Sequence, residues 1–388
     1  MYKYDQRGVS ATKDEVHQAI KNIDKGLFDL AFCKVLPDFA GQDSDYCNIM
    51  HADTAGTKTS LAYMYWKETD DLSVWEGIAQ DAIVMNLDDM ACVGCTDNIL
   101  LSSTIGRNRN LISGDVISTL INATVTFAEK MAEHGVHLHL AGGETADVGD
   151  IVRTIDVGYT AFARMKRKDL IVNNIKAGDV IVGMASYGKA SYERAYNGGM
   201  GSNGLTSARH DVFHKEYAEK YPDCFDHNTP ESVIFTGKKR LRDLIDVNGE
   251  SIEAGKLVLS PTRTFLPVLK KVIEECRPAI NGMIHCTGGG QAKVLKFIKN
   301  KKVVKDNLFA TPPLFSMIQE ESGSSWQEMY QVFNMGNRME VYTDATTAAQ
   351  IIAICKSFNI DAQVIGYVEE APANQVLVKS EHGVFEYK

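Results

Sequence analysis

The sequence has no long apolar segment. Within its 388 residues no apolar run approaches the roughly 18 residues that a membrane-spanning helix needs, and the amino-terminal stretch MYKYDQRGVS lacks the apolar core of a signal peptide. Basic residues are not in excess either, because 41 Lys and Arg stand against 50 Asp and Glu, for a net charge of −9. We therefore expect a cytoplasmic protein with no nucleic-acid or membrane partner, although a few placed cations could still bind a small anionic substrate.

The sequence also lacks a complete cysteine framework and low-complexity tracts. Its eight cysteines are scattered, which is typical of reduced thiols rather than of a disulfide scaffold. Cys92 and Cys95 have CxxC spacing, but no second CxxC completes a zinc site. We interpret this pair as small buried residues after a helix, with a redox or metal role as the alternative.

Strands and helices alternate along the chain. Predicted strands lie at 47–52, 98–102, 136–141, 153–163, 179–185, 338–343 and 361–368, and predicted helices at 73–90, 113–134 and 345–357. The chain is predicted to end in a hairpin that finishes at Tyr387. This order predicts an α+β / α/β fold, and the length predicts two domains. The polar stretch 165–178 is the candidate boundary, which gives domains at 1–168 and 169–388.

Acidic residues organise the first half of the chain. Asp53 precedes a small-residue turn that ends on Lys58, and Asp81 and Asp89 follow about one helix later. Glu144 stands in a second glycine-rich turn. Two carboxylates about 4 Å apart repel by roughly 4 kcal/mol at an effective dielectric near 20. A bound magnesium ion removes that cost, and a lysine beside a glycine-bearing turn is a common partner of the phosphates such an ion carries. The pattern predicts a Mg-nucleotide site.

The predicted helix at 73–90 can present two of these acids together. At 100° per residue, Asp89 lies about 80° from Asp81 around the helix axis, so one ion could contact both. Isolated acids on a helix are more often solvated surface. The apolar neighbours at 82–85 argue against a fully exposed face here.

Two glycine-rich loops mark the second half. The first, residues 198–204, contains GxGxxG only formally, because the preceding strand ends more than ten residues earlier, so a dinucleotide fingerprint is disfavoured. A phosphate-cradling or substrate-covering loop is favoured, and a merely flexible connection is the alternative. The second loop, 286–290, follows a strand that ends at His285. A lone histidine is usually structural, but one at a strand end beside three glycines favours a role in a site.

Seven motifs together resemble one family, aminoimidazole ribonucleotide synthetase, also called phosphoribosylformylglycinamidine cyclo-ligase. The motifs are Asp53-Thr-Ala-Gly-Thr-Lys58, Asp81 with Asp89, Gly142-Gly-Glu-Thr145, Ser202-Asn-Gly204, Ser260-Pro-Thr-Arg263, His285-Cys-Thr-Gly-Gly-Gly290 and Glu328-Met-Tyr-Gln-Val-Phe-Asn334. The likeness covers about residues 45 to 370, and seven motifs in order are far more specific than any one of them.

The resemblance implies an activity, a site and an assembly. The activity is ATP-dependent ring closure of formylglycinamidine ribonucleotide to aminoimidazole ribonucleotide, with ATP and Mg²⁺. By carry-over, the metal ligands would be Asp53, Asp81, Asp89 and Glu144; the ATP-binding residues Asp53, Thr57, Lys58, Gly142, Gly143 and Glu144; the substrate-binding residues Ser202, Asn203, Gly204, Gly288 and Gly289; and the catalytic residues His285 and Lys58. The amino-terminal domain would pair its sheet with that of a second subunit in a homodimer, and the carboxy-terminal domain would close over the substrate.

The sequence departs from the family pattern at four places. The family's glycine-rich amino-terminal loop has no clear counterpart in residues 24–45, the loop at 188–200 is longer, Gly201 stands where a histidine is expected, and Asn337-Arg338 replaces a smaller run. These differences leave two alternatives open. One is another ATP-dependent enzyme of the same superfamily, of the selenophosphate synthetase or thiamine-monophosphate kinase type. The other is a nucleotide-binding regulatory homologue without catalysis.

Overall fold

A computed structural model describes residues 3–10 and 14–388, and it contains two main sheets with helices packed against them. The helices are α1 (Lys3–Gln6), α2 (Asp14–Ala19), α3 (Lys58–Thr69), α4 (Val74–Ala91), α5 (Gly114–Ala132), α6 (Leu205–Val212), α7 (Glu216–Lys220), α8 (Ala254–Val258), α9 (Leu266–Cys276), α10 (Pro313–Ser322), α11 (Trp326–Val332) and α12 (Ala345–Ser357). The strands are β1 (Val35–Pro37), β2 (Tyr46–Thr54), β3 (Ile99–Arg107), β4 (Leu138–Asp147), β5 (Ile155–Lys166), β6 (Val180–Ala185), β7 (Leu244–Val247), β8 (Glu250–Glu253), β9 (Gly282–His285), β10 (Lys301–Lys305), β11 (Asn337–Thr343), β12 (Ala362–Glu370), β13 (Gln375–Ser380) and β14 (Gly383–Tyr387). The predicted mixed α/β character is confirmed.

The first sheet has five strands in the order β1-β2-β5-β3-β4. Strand β5 runs antiparallel to both β2 and β3, and β3 runs parallel to the edge strand β4. Helix α4 packs across one face of this sheet against β2 and β5. Most of its residues are buried, polar ones included, as expected for a helix whose apolar residues lie on nearly all sides. The carboxylates of Asp81 and Asp88 are therefore held inside the protein.

The opposite face of the first sheet is open in the single chain. Met50, Phe162 and Leu100 are neighbours in register across β2, β5 and β3. Met50 is 60% exposed and Leu100 43% exposed. Strand β4 is exposed along most of its length as well. An apolar sheet face beside an unpaired edge is a common site of association.

The second sheet has seven strands in the order β14-β13-β10-β12-β6-β11-β9. Helix α12 packs against β6 and β12, and its first turn is capped by the Asp344 side chain, which accepts hydrogen bonds from the backbone N–H groups of Thr346 and Thr347. Strand β9 ends at His285, as the sequence predicted, and the closing hairpin of β13 and β14 ends at Tyr387. This sheet therefore carries His285 to the amino-terminal unit.

Two segments differ from the sequence prediction. The strand expected to stop before the glycines continues through Gly142, Gly143 and Glu144, so Glu144 lies within β4 and not in a turn. The reason is a close strand approach, because a Cβ at Gly143 would lie 2.4 Å from the carbonyl oxygen of Ser103. Residues 220–258, for which no strand or helix was predicted, contain the β7–β8 hairpin and α8. Across the described ranges, no helix combines the length and apolarity that crossing a membrane requires.

Candidate active site

The two sheets meet at a carboxylate flanked by two histidines. Asp89, near the end of α4, accepts a hydrogen bond from Nδ1 of His285 at 2.6 Å through Oδ1, and its Oδ2 lies 3.3 Å from Nε2 of His51. Since an ionised carboxylate only accepts hydrogen bonds, Nδ1 of His285 carries the proton in this contact. Nε2 of His285 is buried and has no hydrogen-bond partner in the described chain. Asp89 therefore holds the His285 imidazole in one orientation, and Nε2 of that ring has no hydrogen-bond partner among the described residues.

The charges in this group stabilise one another. Burial lowers the pKa of His51, but its hydrogen bond and charge interaction with Asp89, with help from Asn86 and Asp53, outweigh burial and raise that pKa to about 9. Burial raises the pKa of Asp89, but its hydrogen bonds from His285 and His51 lower it well below the usual range. At neutral pH the group therefore holds a negative Asp89 beside a positive His51.

Lys58, at the start of α3, lies in a fully buried ion pair. Its ammonium donates to Oδ1 of Asp81 at 2.8 Å, to the carbonyl oxygen of Ser260 at 2.6 Å and to that of Gly201 at 3.3 Å. Lys58 and Asp81 are each 0% exposed. Burial lowers the pKa of Lys58 and raises that of Asp81, and their mutual attraction opposes both changes. All three N–H donors of Lys58 are therefore used inside the protein.

Two carboxylates of α4 hold the segment 260–265 of the carboxy-terminal unit, which we call the seam segment. Asp81 accepts from both the backbone N–H and the hydroxyl of Thr262, at 2.7 and 2.5 Å. Asp88 accepts from the Thr264 hydroxyl at 2.9 Å and from the Phe265 backbone N–H at 3.1 Å. Both carboxylates thus attach α4 to a chain segment about 180 residues away. Asp81 and Lys58 together hold the seam segment against α3 and α4, and we call this pair the clamp.

The glycine-rich loops of the carboxy-terminal unit face each other beside this clamp. A Cβ at Gly288 would lie 3.5 Å from Nδ2 of Asn203, which places the two loops in contact distance. Residues 202–206 also line a cavity of about 760 Å³ together with Thr57 and parts of the amino-terminal segment. Thr57 reaches this cavity through a 2.8 Å hydroxyl–hydroxyl contact with Thr206. The predicted substrate residues Ser202, Asn203, Gly204, Gly288 and Gly289 therefore lie near one another.

The four predicted metal ligands do not form one cluster within the chain. Asp53 is exposed on β2, Glu144 is exposed on the edge strand β4, and Asp81 is buried in the clamp. In residues 3–10 and 14–388, no three His, Cys, Asp or Glu side chains are grouped closely enough to hold a metal ion. Asp53 and Asp89 both raise the pKa of His51. The four-carboxylate centre stays a prediction. In the described residues Asp81 is engaged by Lys58 and Thr262, and Asp89 contacts His285 and His51.

His51 was missed by the sequence interpretation. It precedes Asp53 by two residues in β2, and residues two apart in a strand point to the same face. That spacing is the signal that could have found it. Nδ1 of His51 is 3.0 Å from Oδ1 of Asn86 on α4, which holds the ring against Asp89.

Comparison with known proteins supports the predicted family. A family model described as AIR synthase related protein, N-terminal domain, matches residues 33–165, and one described as AIR synthase related protein, C-terminal domain, matches residues 176–379. The phosphoribosylformylglycinamidine cyclo-ligase of Methanocaldococcus jannaschii is 28% identical over 332 residues, which are 84% of this chain and 79% of the relative. The protein of the same name from Methanococcus vannielii is 27% identical over 328 residues, again 84% and 79%.

Solved structures share the fold at low sequence identity. A chain of a HypE–HypF complex aligns with a TM-score of 0.54 at 15% identity, covering 96% of this chain and 97% of that one. AaThiL complexed with AMPPCP and TMP gives a TM-score of 0.54 at 12% identity, covering 97% and 95%. T. maritima PurL complexed with ADP gives 0.53 at 14%, covering 97% of this chain but 47% of PurL, so this chain spans about half the length of PurL. Because the carboxy-terminal family model alone covers more than half of the sequence, the chain belongs to the AIR synthase related family.

Proposed function

We propose that this protein is an ATP-dependent cyclo-ligase that converts formylglycinamidine ribonucleotide to 5-aminoimidazole ribonucleotide, releasing ADP and phosphate. Family membership and relatives named for this activity support the proposal. The observation that carries it is the oriented His285–Asp89 pair beside two facing glycine loops. These are the parts that an acceptor site for a small polar substrate requires.

The reaction requires activation of a poor leaving group. The amide oxygen of the formyl group takes the γ-phosphoryl group of ATP, which leaves ADP and an iminophosphate. The amidine nitrogen then attacks the formyl carbon, the carbon–oxygen bond breaks, and phosphate departs as the imidazole ring forms. His285, with Nδ1 bound to Asp89, would polarise the formyl oxygen or move a proton at Nε2. Asp89 would keep that imidazole in the required tautomer.

The residues present fit Mg²⁺ through hard carboxylate oxygens, but through one or two of them and not four. Asp53 and Asp89 are our proposed ligands, because their charges act together at His51. Mg²⁺ is commonly bound by one or two carboxylates together with phosphate oxygens and water. When bound, the ion would neutralise charge on the transferring phosphoryl group. The proposal keeps Glu144 and Asp81 as secondary candidates, since Glu144 is exposed and Oδ2 of Asp81 has no hydrogen-bond partner in the described residues.

The remaining site residues divide between nucleotide and substrate. Five residues of the amino-terminal unit would contact ATP: Asp53, Thr57, Gly142, Gly143 and Glu144. The facing glycine loops would contact the ribonucleotide through Ser202, Asn203, Gly204, Gly288 and Gly289. Lys58 would act on phosphate only if the seam opens, because its donors are used by Asp81 and two carbonyl groups. Its proposed contribution in the closed arrangement is to position α3 and the loop at Gly201.

The assembly and domain organisation are further parts of this proposal. An open apolar face across β2, β5 and β3 beside the exposed edge β4 supports a homodimer formed through the amino-terminal sheet. A division at 168/169 is supported by the end of β5 at Lys166 and the start of β6 at Val180.

All eight cysteines are buried free thiols, which fits a reducing, cytoplasmic compartment.

One assay tests the proposal against its alternatives. Purified protein is incubated with ATP, MgCl₂ and formylglycinamidine ribonucleotide, and ADP and aminoimidazole ribonucleotide are quantified. Equimolar formation of the two products is expected, and it should depend on Mg²⁺. ATP binding without turnover would favour a regulatory homologue. ATP turnover only with a different acceptor, such as thiamine monophosphate, would favour a sibling enzyme of the superfamily.

A further inference from the structure

One buried segment is hydrogen-bonded to one of the facing glycine-rich loops and to the residue that follows the other. We call residues 198–204 loop A, residues 286–290 loop B, and residues 334–337, between α11 and β11, the bridge segment. Four of the seven residues of loop A and three of the five of loop B are glycines, which have no side chain to fix their position. Hydrogen bonds from neighbouring side chains must therefore set the distance between loop A and loop B.

Asn334 attaches the bridge segment to loop A. Its side-chain Nδ2 donates to the carbonyl oxygen of Gly199 at 2.9 Å and to that of Met200 at 3.3 Å. Its Oδ1 accepts from the Ser186 hydroxyl at 2.9 Å and from the Gly336 backbone N–H at 2.8 Å. Both donors and both acceptor positions of this buried amide are thus in use.

Gln291 attaches the same segment to loop B. This residue follows loop B directly, in a 3-10 helix at Gly290–Phe297, and is 0% exposed. Its Nε2 donates to the carbonyl oxygen of Asn334 at 2.7 Å and to that of Asn337 at 2.8 Å. Loop A and loop B are therefore connected through two side-chain amides and one short stretch of backbone.

A buried ion pair holds Gln291 in place. Lys305 on β10 and Glu340 on β11 are each 0% exposed and form a salt bridge. Lys305 Nζ also donates to the Gln291 backbone carbonyl at 2.8 Å and to its Oε1 at 3.1 Å, and Glu340 accepts from Nδ2 of Asn337 at 2.8 Å. A buried ion pair contributes little net stability over apolar side chains of the same size. Its directed contacts with Gln291 and Asn337 point to orientation as its role.

We propose that Asn334 and Gln291 are positioning residues that set the separation of loops A and B, and through it the affinity for the ribonucleotide substrate. The proposal rests on the proposed function only in assigning these loops to the substrate. A displacement of about 1 Å in a substrate-positioning element can cost about 10²-fold in rate. Loss of either amide should therefore change substrate recognition more than it changes the fold.

Asn334→Asp is the most selective perturbation. The substitution preserves shape and the Oδ1 acceptor, but it replaces the Nδ2 donor with an oxygen opposite two carbonyl groups, so loop A loses its attachment. Asn374→Asp is the matched control, because Nδ2 of Asn374 donates to the carbonyl oxygens of Leu295 at 3.0 Å and Ile298 at 2.8 Å, and its Oδ1 accepts from the Asn300 backbone N–H at 2.8 Å. The control removes the same bonds outside both loops.

Two measurements are made on the full-length wild type and both variants: steady-state KM for each substrate, and amide hydrogen exchange of residues 199–204. We expect Asn334→Asp to raise KM for formylglycinamidine ribonucleotide at least tenfold, to leave KM for ATP within about threefold, and to speed exchange in loop A. We expect Asn374→Asp to leave KM for formylglycinamidine ribonucleotide and exchange in loop A unchanged, even if it lowers the melting temperature as much as Asn334→Asp does.

The outcomes separate this inference from the proposed function. Equal KM and equal exchange in wild type and Asn334→Asp overturn the inference, as does faster loop A exchange of the same size in Asn374→Asp. If the wild type shows no cyclo-ligase turnover, the proposed function fails, and exchange in loop A alone then decides the positioning role. If Asn334→Asp does not fold, Gln291→Met is used with exchange at 286–290, and unchanged exchange there overturns the inference.

Discussion

Replacing Asp89 with asparagine should uncouple two histidines from the carboxylate that holds them. Asparagine has the same shape and keeps one acceptor oxygen, so the fold should persist. The variant loses the charge that now accepts from His285 at 2.6 Å and lies 3.3 Å from His51. General acid–base contributions are commonly worth 10²–10⁴-fold. We therefore expect turnover to fall at least about 100-fold, because a neutral amide does not stabilise the positive charge that His285 gains when it takes up a proton.

The stability change can be worked from His51. Its pKa is raised from 6.5 to about 9, chiefly by Asp89 acting against burial, and this difference is worth roughly 3 kcal/mol. A raised histidine pKa contributes stability that is fully present below pH 6.5 and is lost as pH rises through about 9. The lowered pKa of Asp89 contributes stability that is lost as pH falls below the usual carboxyl range. The difference between wild type and Asp89→Asn should thus be largest above the usual carboxyl range and below pH 6.5, and it should be lost as pH rises through about 9.

NMR titration of the histidine ring protons, denaturant unfolding at pH 7 and pH 9.5, and turnover test this prediction together. In Asp89→Asn the pKa of His51 should fall below 7, since burial then acts without the opposing carboxylate. Asp97→Asn is a matched control, because Asp97 also accepts from a histidine, His137, at 3.0 Å but lies outside the site. A His51 pKa that stays near 9 in Asp89→Asn, or turnover near the wild-type value, would refute the reasoning.

Two further predictions concern the seam and the open sheet face. Lys58→Met should destabilise the protein by about 3–5 kcal/mol in denaturant unfolding, because it leaves the buried carboxylate of Asp81 unpaired. Combining it with Asp81→Leu should recover part of that loss. If the losses in unfolding free energy of the two single variants simply add in the double variant, the pairing is contradicted. Met50→Glu places a charge at a 60% exposed position on the open apolar face. It should convert the proposed dimer to a monomer in sedimentation velocity without lowering the melting temperature of the monomer. Val384→Glu, at a 66% exposed site on β14, should leave the proposed dimer intact.

Local patterns predicted much of the fold. The strands predicted at 179–185, 338–343 and 361–368 correspond to β6, β11 and β12, and the helix predicted at 345–357 corresponds to α12. The forces that decide these elements act between near neighbours in sequence. The prediction failed at Gly142 and Gly143, where glycines were interpreted as a turn. In the fold a Cβ at Gly143 would collide with the Ser103 backbone of the neighbouring strand. Such a requirement of strand pairing cannot be read from the local sequence.

The candidate site was predictable only in part, because its residues come together through packing between distant parts of the chain. His285 and Asp89 were both expected at the site, and the fold brings them to 2.6 Å although 196 residues separate them. Lys58 and Asp81 were expected to face a nucleotide, but the seam segment covers them, and its position depends on how the two units pack. A buried acid beside a lysine looks alike in sequence whether its partner is a phosphate or a distant backbone N–H. Only the fold distinguishes the two.

The two differences from the family pattern at Gly201 and Arg338 are best explained together, because the two residues pack against each other. The family resemblance leads one to expect a histidine at 201 and smaller residues near 338, and in the sequence the two differences look independent. In the structure a Cβ at Gly201 would lie 3.3 Å from Nη1 of Arg338, and the same guanidinium donates to the Arg263 carbonyl within the seam segment. A small residue on one side thus makes room for a large cation on the other, and exchanges that conserve total volume are the ones that protein interiors tolerate best. Two differences that compensate each other in one place do not indicate a degraded site, and they therefore give no support to a non-catalytic role.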